Sequence, residues 1–106
     1  MTENSNYKII AVDFDGTLCE NNYPQIGSPR QDVLQKLIKE QENGAKIILW
    51  SCREGYLLAE AVKWCYNLGL IFDAINESLP EQIGKWGTMP RKIGADEYWD
   101  DKAVKV

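Results

Sequence analysis

Apolar and polar positions alternate along the chain in blocks that predict strands and helices in turn. Residues 7–14, YKIIAVDF, form a nearly continuous apolar run with β-branched side chains, and residues 46–51, KIILWS, repeat the pattern. Runs of this kind are typical of strands that are buried on both faces of a parallel sheet. Residues 71–76, IFDAIN, predict a third strand, and residues 95–101, ADEYWDD, predict a short fourth one.

Two segments between these strands have the apolar spacing of amphipathic helices. The first is predicted to begin with Ser28 as its cap, with Pro29 at the first helical position and Gln31 completing a capping box, and to end at Gly44. The second follows CREG and ends at Gly69. The predicted apolar stripes contain Val33, Leu34, Leu37 and Ile38 in the first helix, and Leu57, Leu58, Ala61, Val62 and Cys65 in the second.

This alternation predicts an α/β fold, a three-layer Rossmann-like domain with a mostly parallel sheet. Right-handed crossovers place both helices on one face of the sheet, and a fourth strand beside the first gives the strand order 4-1-2-3. Residues 77–92 contain two prolines and two glycines, which predict a loop. We expect no cap domain, because neither this segment nor the one after Asp15 is long enough. The loop would cover the second face thinly, and a homodimer would bury the apolar surface left exposed.

Length and charge restrict the classes of function. The 106 residues suffice for one domain, so residues 1–106 form a single predicted unit in which residues 1–6 are expected to be disordered. The formal charge of -4 offers no basic stripe for non-specific nucleic-acid binding. No apolar run approaches the length that spans a bilayer and the start does not resemble a signal peptide, so we expect no membrane contact and a cytoplasmic location.

The chemistry available to the chain is also restricted. It has no histidine, which excludes Ser-His-Asp and Cys-His nucleophile systems and a histidine-rich zinc site. The three cysteines, Cys19, Cys52 and Cys65, are odd in number and far apart, which predicts reduced thiols. Acid-base chemistry therefore depends on carboxylates, lysine, tyrosine or cysteine.

Polar side chains stand where three strands of the predicted sheet end. Asp13 and Asp15 lie at the end of the first apolar run, Ser51 closes the second strand, and Asp100 and Asp101 close the fourth. Ligands of open α/β sheets bind beyond the carboxyl ends of the strands, where the strand order reverses. Carboxylates crowded together there repel one another unless a cation binds them, and an oxygen-only ligand set favours Mg²⁺ over zinc.

The residues after Asp13 and Asp15 predict a phosphate site beside this metal. Gly16 allows a sharp turn and a close approach of the backbone to a ligand. Thr17 and Ser51 supply hydroxyl donors for phosphate oxygens. A carboxylate beside the phosphorus can attack it, which forms an acyl phosphate that water later breaks down.

The string DFDGT after an apolar strand resembles the first signature of the haloacid dehalogenase-like hydrolases, most of which are magnesium-dependent phosphatases that work through an aspartyl-phosphate. The later elements follow in that family's order: Ser51 after IILW, Lys92 in PRK, and Asp100 and Asp101 in YWDD. The resemblance spans residues 7–104. The fuller string is similar to a subgroup of small members without a cap domain.

The resemblance implies a role for each of these residues. Asp13 is implied as the nucleophile, and Asp15 as the general acid and base whose backbone carbonyl also contacts the metal. Lys92 is implied to neutralise Asp13 and the transferring phosphoryl group. The implied phosphate-binding residues are Gly16, Thr17, Ser51 and Lys92, and the implied magnesium ligands are Asp13, Asp15, Asp100 and Asp101.

Several of these assignments have alternatives. Asp101 either joins Asp100 on the metal or acts through a bound water, and Lys85 competes with Lys92 for the site. Asp13 and Asp15 could simply form a turn after the strand, and Ser51 could cap the second helix. Arg53 and Glu54 could form an ion pair within their loop or contact the substrate. We expect the tryptophans in the core or in an interface rather than in a platform that stacks on a ligand, namely Trp50, Trp64, Trp86 and Trp99.

The function that follows is that of a magnesium-dependent phosphohydrolase acting on a phosphomonoester. Its expected partner is a small phosphorylated substrate or the phosphorylated end of a macromolecule. One alternative is a receiver-like signalling domain, whose acceptor aspartate follows the third strand, whereas IFDAIN offers only Asp73 early in that strand. The other alternative is a catalytically silent module that binds a metal or a partner.

Overall fold

The computed structural model describes residues 7–77 and 95–100, together with the backbone of residues 104–105. The predictions made for residues 1–6, for most of the loop of residues 77–92 and for Lys85, Lys92 and Asp101 lie outside these ranges.

A five-stranded sheet forms the centre of the fold, with the strand order β3-β2-β1-β4-β5. The strands are β1 (Ile9–Asp13), β2 (Lys46–Trp50), β3 (Ala74–Ile75), β4 (Glu97–Trp99) and β5 (Val104–Lys105), and the helices are α1 (Gln31–Glu42) and α2 (Gly55–Asn67). Strands β1 to β4 pair in parallel, and β5 adds an antiparallel edge. The predicted α/β class is confirmed. The predicted strand order 4-1-2-3 is also confirmed, because the first four strands lie in this order when the sheet is counted from β4 toward β3. The sequence pattern did not predict β5.

Both helices pack on one face of the sheet, as predicted from the handedness of the crossovers. Alternate residues of a strand point to opposite faces. One face of β1 and β2 contributes to a single apolar cluster with α1 and α2, which includes Ile10, Val12, Ile47, Leu49, Leu34, Leu37, Ala61 and Cys65. The opposite face carries a second cluster, and its members Ile9, Ala11 and Ile48 are buried. The expectation that this face would be left exposed is therefore wrong at these three positions, and the homodimer stays a prediction.

Helix α1 begins later than the sequence pattern predicts. Ser28 was expected to cap it and Pro29 to open it, but the first helical residue is Gln31 and Arg30 occupies the cap position. No side-chain hydrogen bond caps this helix end. The predicted capping box at Ser28 is therefore wrong.

The preceding loop explains this difference. In the β1–α1 loop, residues 14–30, the Glu20 N–H donates to the Ser28 carbonyl at 2.8 Å and the Arg30 N–H donates to the Leu18 carbonyl at 2.8 Å. These bonds fold the loop back on itself and keep its last residues out of the helix. Tertiary pairing thus overrides the local signal of Ser and Pro.

The other ends of the elements lie close to their predicted positions. Gly44 follows α1 with a φ of 100°, and Gly69 follows α2 with a φ of 97°, a region that glycine adopts without steric cost. Strand β1 ends at Asp13, one residue earlier than predicted, and β3 and β4 are shorter than their apolar runs. All three cysteines are free thiols, as predicted. Among the described helices, neither has the length and apolarity required to cross a membrane.

Candidate functional site

A cleft of about 330 Å³ lies at the carboxyl ends of β1, β2 and β4. Its lining residues are Asp13, Trp50, Ser51, Cys52, Tyr98, Trp99 and Asp100. Three predicted site residues, Asp13, Ser51 and Asp100, therefore come together, each from the end of a different strand. Parallel strands have their carboxyl ends at one edge of the sheet, which is why residues far apart in sequence meet there.

The turn after β1 separates the two aspartates of DFDGT. Asp13 Oδ1 accepts a hydrogen bond from the Phe14 N–H at 2.9 Å, and the Phe14 ring is buried in the core. The Thr17 N–H donates to the Phe14 carbonyl at 3.1 Å, and Gly16 has a φ of 87°, as the prediction of a sharp turn requires. Asp13 consequently lines the cleft while Asp15, Gly16 and Thr17 lie in the turn and do not line it.

Thr17 carries an unusual buried hydroxyl. The residue is 2% exposed, and its Oγ1 has no hydrogen-bond partner within the described part of the chain. A buried polar group without a partner costs about 1–3 kcal/mol, and a ligand oxygen could recover this energy. The phosphate-binding role implied for Thr17 stays a prediction.

Arg53 forms a buried ion pair with Asp15. Arg53 is 1% exposed, and its guanidinium contacts both carboxylate oxygens, Nε to Oδ2 at 3.0 Å and Nη2 to Oδ1 at 2.8 Å. The hydrogen bonds that Arg53 donates to Asp15 raise the pKa of Arg53 above its ordinary value, so the side chain is held in its charged form. The two residues are 38 positions apart. Neither alternative given for Arg53 and Glu54 described this pair: the guanidinium binds Asp15 and not an acid of its own loop, and contact with the substrate stays a prediction.

The same guanidinium also holds the β1–α1 loop. Its Nη1 donates to the Pro24 carbonyl at 3.0 Å, and its Nη2 donates to the Gln25 carbonyl at 2.9 Å. The guanidinium carbon lies 5.1 Å from the ring centre of Phe14 and 5.2 Å from that of Tyr23, which are cation–π distances. Arg53 therefore connects the segment before α2 to the loop that follows β1.

Ser51 is oriented by two hydrogen bonds. Its Oγ accepts from the Arg53 N–H at 3.0 Å, and its N–H donates to Asn76 Oδ1 at 2.7 Å. The cap position of α2 is Glu54, so the alternative that Ser51 caps this helix is wrong. Sequence reasoning missed Asn76, which has a φ of 55°. The available signal was an asparagine just after a strand, since asparagine tolerates the left-handed region better than most residues.

Trp50 and Tyr98 form an aromatic wall of the cleft that was also not predicted. Trp50 is 48% exposed and therefore not in the core. Its ring meets that of Tyr98 edge to face, with the centroids 6.3 Å apart and an interplanar angle of 72°. Trp99 is buried and Trp64 packs against the core, as expected, and Trp86 lies outside the described residues.

Two carboxylates of the cleft could serve as magnesium ligands. Asp13 and Asp100 bring two carboxylates to it. Within residues 7–77 and 95–100, no group of three or more histidine, cysteine, aspartate or glutamate side chains could hold a metal ion. Mg²⁺ needs no such group, because proteins usually bind it through one or two carboxylates, with substrate phosphates and water completing the shell.

Comparison with known proteins found a similar solved structure. No protein-family model matches the chain, and no curated protein matches it significantly. The chain is similar to a conserved protein from Bacteroides thetaiotaomicron, with 43% sequence identity and a TM-score of 0.79. The similarity covers 92% of this chain and 78% of that one. The chain therefore belongs to the same family as this conserved Bacteroides thetaiotaomicron protein.

Proposed function

We propose that the protein is a magnesium-dependent phosphohydrolase that cleaves a phosphomonoester through an aspartyl-phosphate intermediate. The observation that carries this proposal is the convergence of Asp13, Ser51 and Asp100 on one cleft at the carboxyl ends of three parallel strands. The resemblance of DFDGT and the later elements to the haloacid dehalogenase-like hydrolases supports it. The expected partner is a small phosphorylated substrate or a phosphorylated macromolecule end, in the cytoplasm, where free thiols persist.

The proposed reaction has two steps. In the first, a carboxylate oxygen of Asp13 attacks the phosphorus, the ester P–O bond breaks, and the departing oxygen takes a proton from Asp15. In the second, water attacks the phosphorus of the acyl phosphate and gives its proton to Asp15. Inorganic phosphate leaves and the Asp13 carboxylate is restored.

The ion pair constrains how Asp15 could carry this proton. Both of its carboxylate oxygens accept hydrogen bonds from Arg53. Each oxygen has a second lone pair. Because Asp15 does not line the cleft in this arrangement, the proposed proton transfer requires one of the two bonds to Arg53 to open and that carboxylate oxygen to turn toward the bound ester.

The remaining charges would stabilise the transferring phosphoryl group. Asp13 and Asp100 would hold Mg²⁺, which neutralises charge on the phosphoryl oxygens as they pass through the transition state. The Ser51 hydroxyl lines the cleft and would donate to those oxygens. Gly16 and Thr17 do not line it, so the phosphate contacts proposed for them require the turn after β1 to shift toward the cleft. Lys92 is the proposed second positive charge.

The receiver-type alternative has less support. Such a domain needs an acceptor aspartate after its third strand, whereas Asp73 precedes β3 (Ala74–Ile75). Its Oδ2 accepts a hydrogen bond from the Ile47 N–H at 2.8 Å, which is a structural use of the carboxylate. We therefore keep the hydrolase as the proposed function.

A panel of phosphomonoesters assayed with Mg²⁺ tests the proposal. The wild-type chain is expected to release phosphate, and Asp13→Asn is expected to lower the rate about a thousandfold or more, because it removes the nucleophile. Asp32→Asn, a change of an exposed carboxylate in the first turn of α1, is the matched control and is expected to keep the wild-type rate.

Two outcomes would contradict the hydrolase. If the folded wild-type chain releases no phosphate from any ester, the silent binding module is the better interpretation. If a phosphorylated form accumulates and persists for minutes to hours, the receiver-type domain is favoured.

A further inference from the structure

Trp50 lies directly beside the proposed nucleophile. The register of β1 and β2 pairs Asp13 with Trp50, and both residues line the cleft. Residues paired across neighbouring strands project to the same face of a sheet, and the strands are about 4.8 Å apart. A group bound at the Asp13 carboxylate therefore lies within reach of the indole.

The aromatic wall crosses the strand that carries Asp13. Trp50 belongs to β2 and Tyr98 to β4, and β1 lies between them in the sheet. The two rings nevertheless meet edge to face at 6.3 Å, so they reach toward each other over β1. Tyr98 pairs with Ala11, whose small side chain leaves room for this contact.

This wall suits a flat ring better than a saturated chain. An offset or edge-to-face aromatic pair contributes more than the burial of its area alone. The cleft of about 330 Å³ is at the lower end of ligand-site volumes, which run from about 300 to 1,000 Å³. It therefore has room for one ring system. The formal charge of -4 does not favour a nucleic-acid strand as the occupant.

We infer that the substrate is a phosphomonoester of a small planar aromatic alcohol, whose ring packs against Trp50 while its phosphoryl group lies at Asp13. This inference rests on the proposed function and specifies its substrate class.

Two non-hydrolysable ligands of matched charge and similar size test the inference. Benzylphosphonate and cyclohexylmethylphosphonate differ in the flatness of the ring, and calorimetry on the full chain at fixed Mg²⁺ gives both affinities. The wild type is expected to bind the benzyl compound about two- to ten-fold more tightly. Trp50→Ala is expected to bring this ratio close to one, and Trp50→Phe to retain most of it. Tyr66→Ala, which removes a 63% exposed aromatic of α2 outside the cleft, leaves the ratio unchanged.

The outcomes separate the substrate class from the proposed function. Equal affinities in the wild type, or no binding of either compound, overturn the inference of an aromatic substrate. The phosphohydrolase proposal survives that result if the chain hydrolyses aliphatic and aromatic esters alike. A ring preference without any phosphate release refutes the phosphohydrolase and leaves only an aromatic binding site. Sedimentation of wild type and Trp50→Ala adds a third check: a dimer that the substitution dissociates, with no ring preference, assigns Trp50 to a subunit interface and overturns the inference.

Discussion

Arg53 shows how one buried charge organises the site. A charged side chain is buried only where its charge is paired and its donors are satisfied. Here the Asp15 carboxylate supplies the charge, and the carbonyls of Pro24 and Gln25 accept the remaining hydrogen bonds. The bidentate geometry requires the planar fork of arginine, which lysine cannot reproduce. The position of Asp15 therefore depends on a residue that does not line the cleft.

Replacing Arg53 is expected to destabilise the fold. Arg53→Met leaves the Asp15 side chain, which is 20% exposed, without its partner, and we expect a loss of about 2–4 kcal/mol in the free energy of unfolding. Arg53→Lys is expected to lose less, because it keeps the charge. Urea unfolding followed by circular dichroism measures both.

A double-mutant cycle isolates the ion pair. Arg53→Met combined with Asp15→Asn is expected to lose less stability than the two single changes added together, because no unpaired charge remains. Strict additivity within about 0.5 kcal/mol would show that the two side chains do not interact.

Burial separates the reactivities of the three cysteines. Burial raises the pKa of the Cys65 thiol to about 12 and also raises the pKa of Cys19, whereas Cys52 is exposed. Since the thiolate is the nucleophile, iodoacetamide at pH 8 is expected to modify Cys52 alone in the folded chain. Mass spectrometry of digested protein should find one adduct, none in Cys52→Ser, and three in urea. Comparable modification of Cys65 in the folded chain would contradict the burial argument.

At the scale of elements, the β1–α1 loop is closed by a tight backbone approach. A Cβ added at Gly27 would lie 2.0 Å from the Glu20 carbonyl oxygen, closer than any real contact. Gly27→Ala is therefore expected to force the loop open and to cost about 1–3 kcal/mol. Limited proteolysis should show faster cleavage within residues 14–30.

Ser28→Ala is the neighbouring control. The Ser28 side chain does not cap α1, so this variant should stay within about 0.5 kcal/mol of the wild type. A loss of about 1 kcal/mol would instead support the capping role that the sequence pattern predicted.

Strand β4 is connected to its surroundings through Glu97. Trp99 Nε1 donates to Glu97 Oε1 at 2.9 Å, and Lys8 Nζ lies 3.1 Å from Glu97 Oε2 and 3.0 Å from Glu40 Oε1. The hydrogen bond from Trp99, followed by the contact with Lys8, lowers the pKa of Glu97 below its ordinary value of 4.5. A carboxyl group whose pKa is lowered by folding stabilises the folded state above the unfolded pKa, and this stabilisation is lost as the pH falls through the folded pKa.

Glu97→Gln should expose this pH dependence. The variant keeps a side-chain oxygen for Trp99 but loses the charge, so it is expected to be about 1 kcal/mol less stable than the wild type at pH 7. The difference should be constant above the ordinary pKa of 4.5 and shrink as the pH falls below it, through the lowered pKa of the folded state. Urea unfolding as a function of pH, with the exposed Glu42→Gln as control, measures it. A difference that does not change with pH would contradict the assigned pKa direction.

At the scale of the whole molecule, a bound magnesium ion would couple the site to global stability. A ligand that binds only the folded state at ten times its Kd stabilises it by about 1.4 kcal/mol. For a chain of this size, Mg²⁺ is then expected to raise the Tm by about 6–11 °C. Asp100→Asn and Asp13→Asn should lose most of this shift, while Asp32→Asn should keep it. An equal shift in all four proteins, or the same shift with sodium chloride of equal ionic strength, would argue against a site at the cleft.

Much of this architecture could be predicted from the sequence. The buried strands are apolar runs, and their period and length are local properties. The crossover rule then orders the strands, and the order brings the ends of β1, β2 and β4 to one edge. The sequence therefore suffices to place Asp13, Ser51 and Asp100 at the same edge of the sheet.

Other features depended on contacts between distant parts of the chain. The pairing of Arg53 with Asp15 joins residues 38 positions apart, and two acids or two loops could have competed for the same guanidinium. Helix α1 begins later than its sequence pattern predicts, because the backbone of Glu20 and Leu18 forms hydrogen bonds with the backbone of residues 28 and 30. No local pattern encodes either event.

The sequence by itself determined the α/β class, the strand order and the edge of the sheet at which polar side chains meet, because periodicity, chirality and strand ends are all read locally. Only the tertiary structure decided that Asp15 is bound by Arg53 and that Trp50 and Tyr98 form one wall of the cleft. Those contacts join separate strands and loops, and side chains choose among such partners only after the sheet and its loops have assembled.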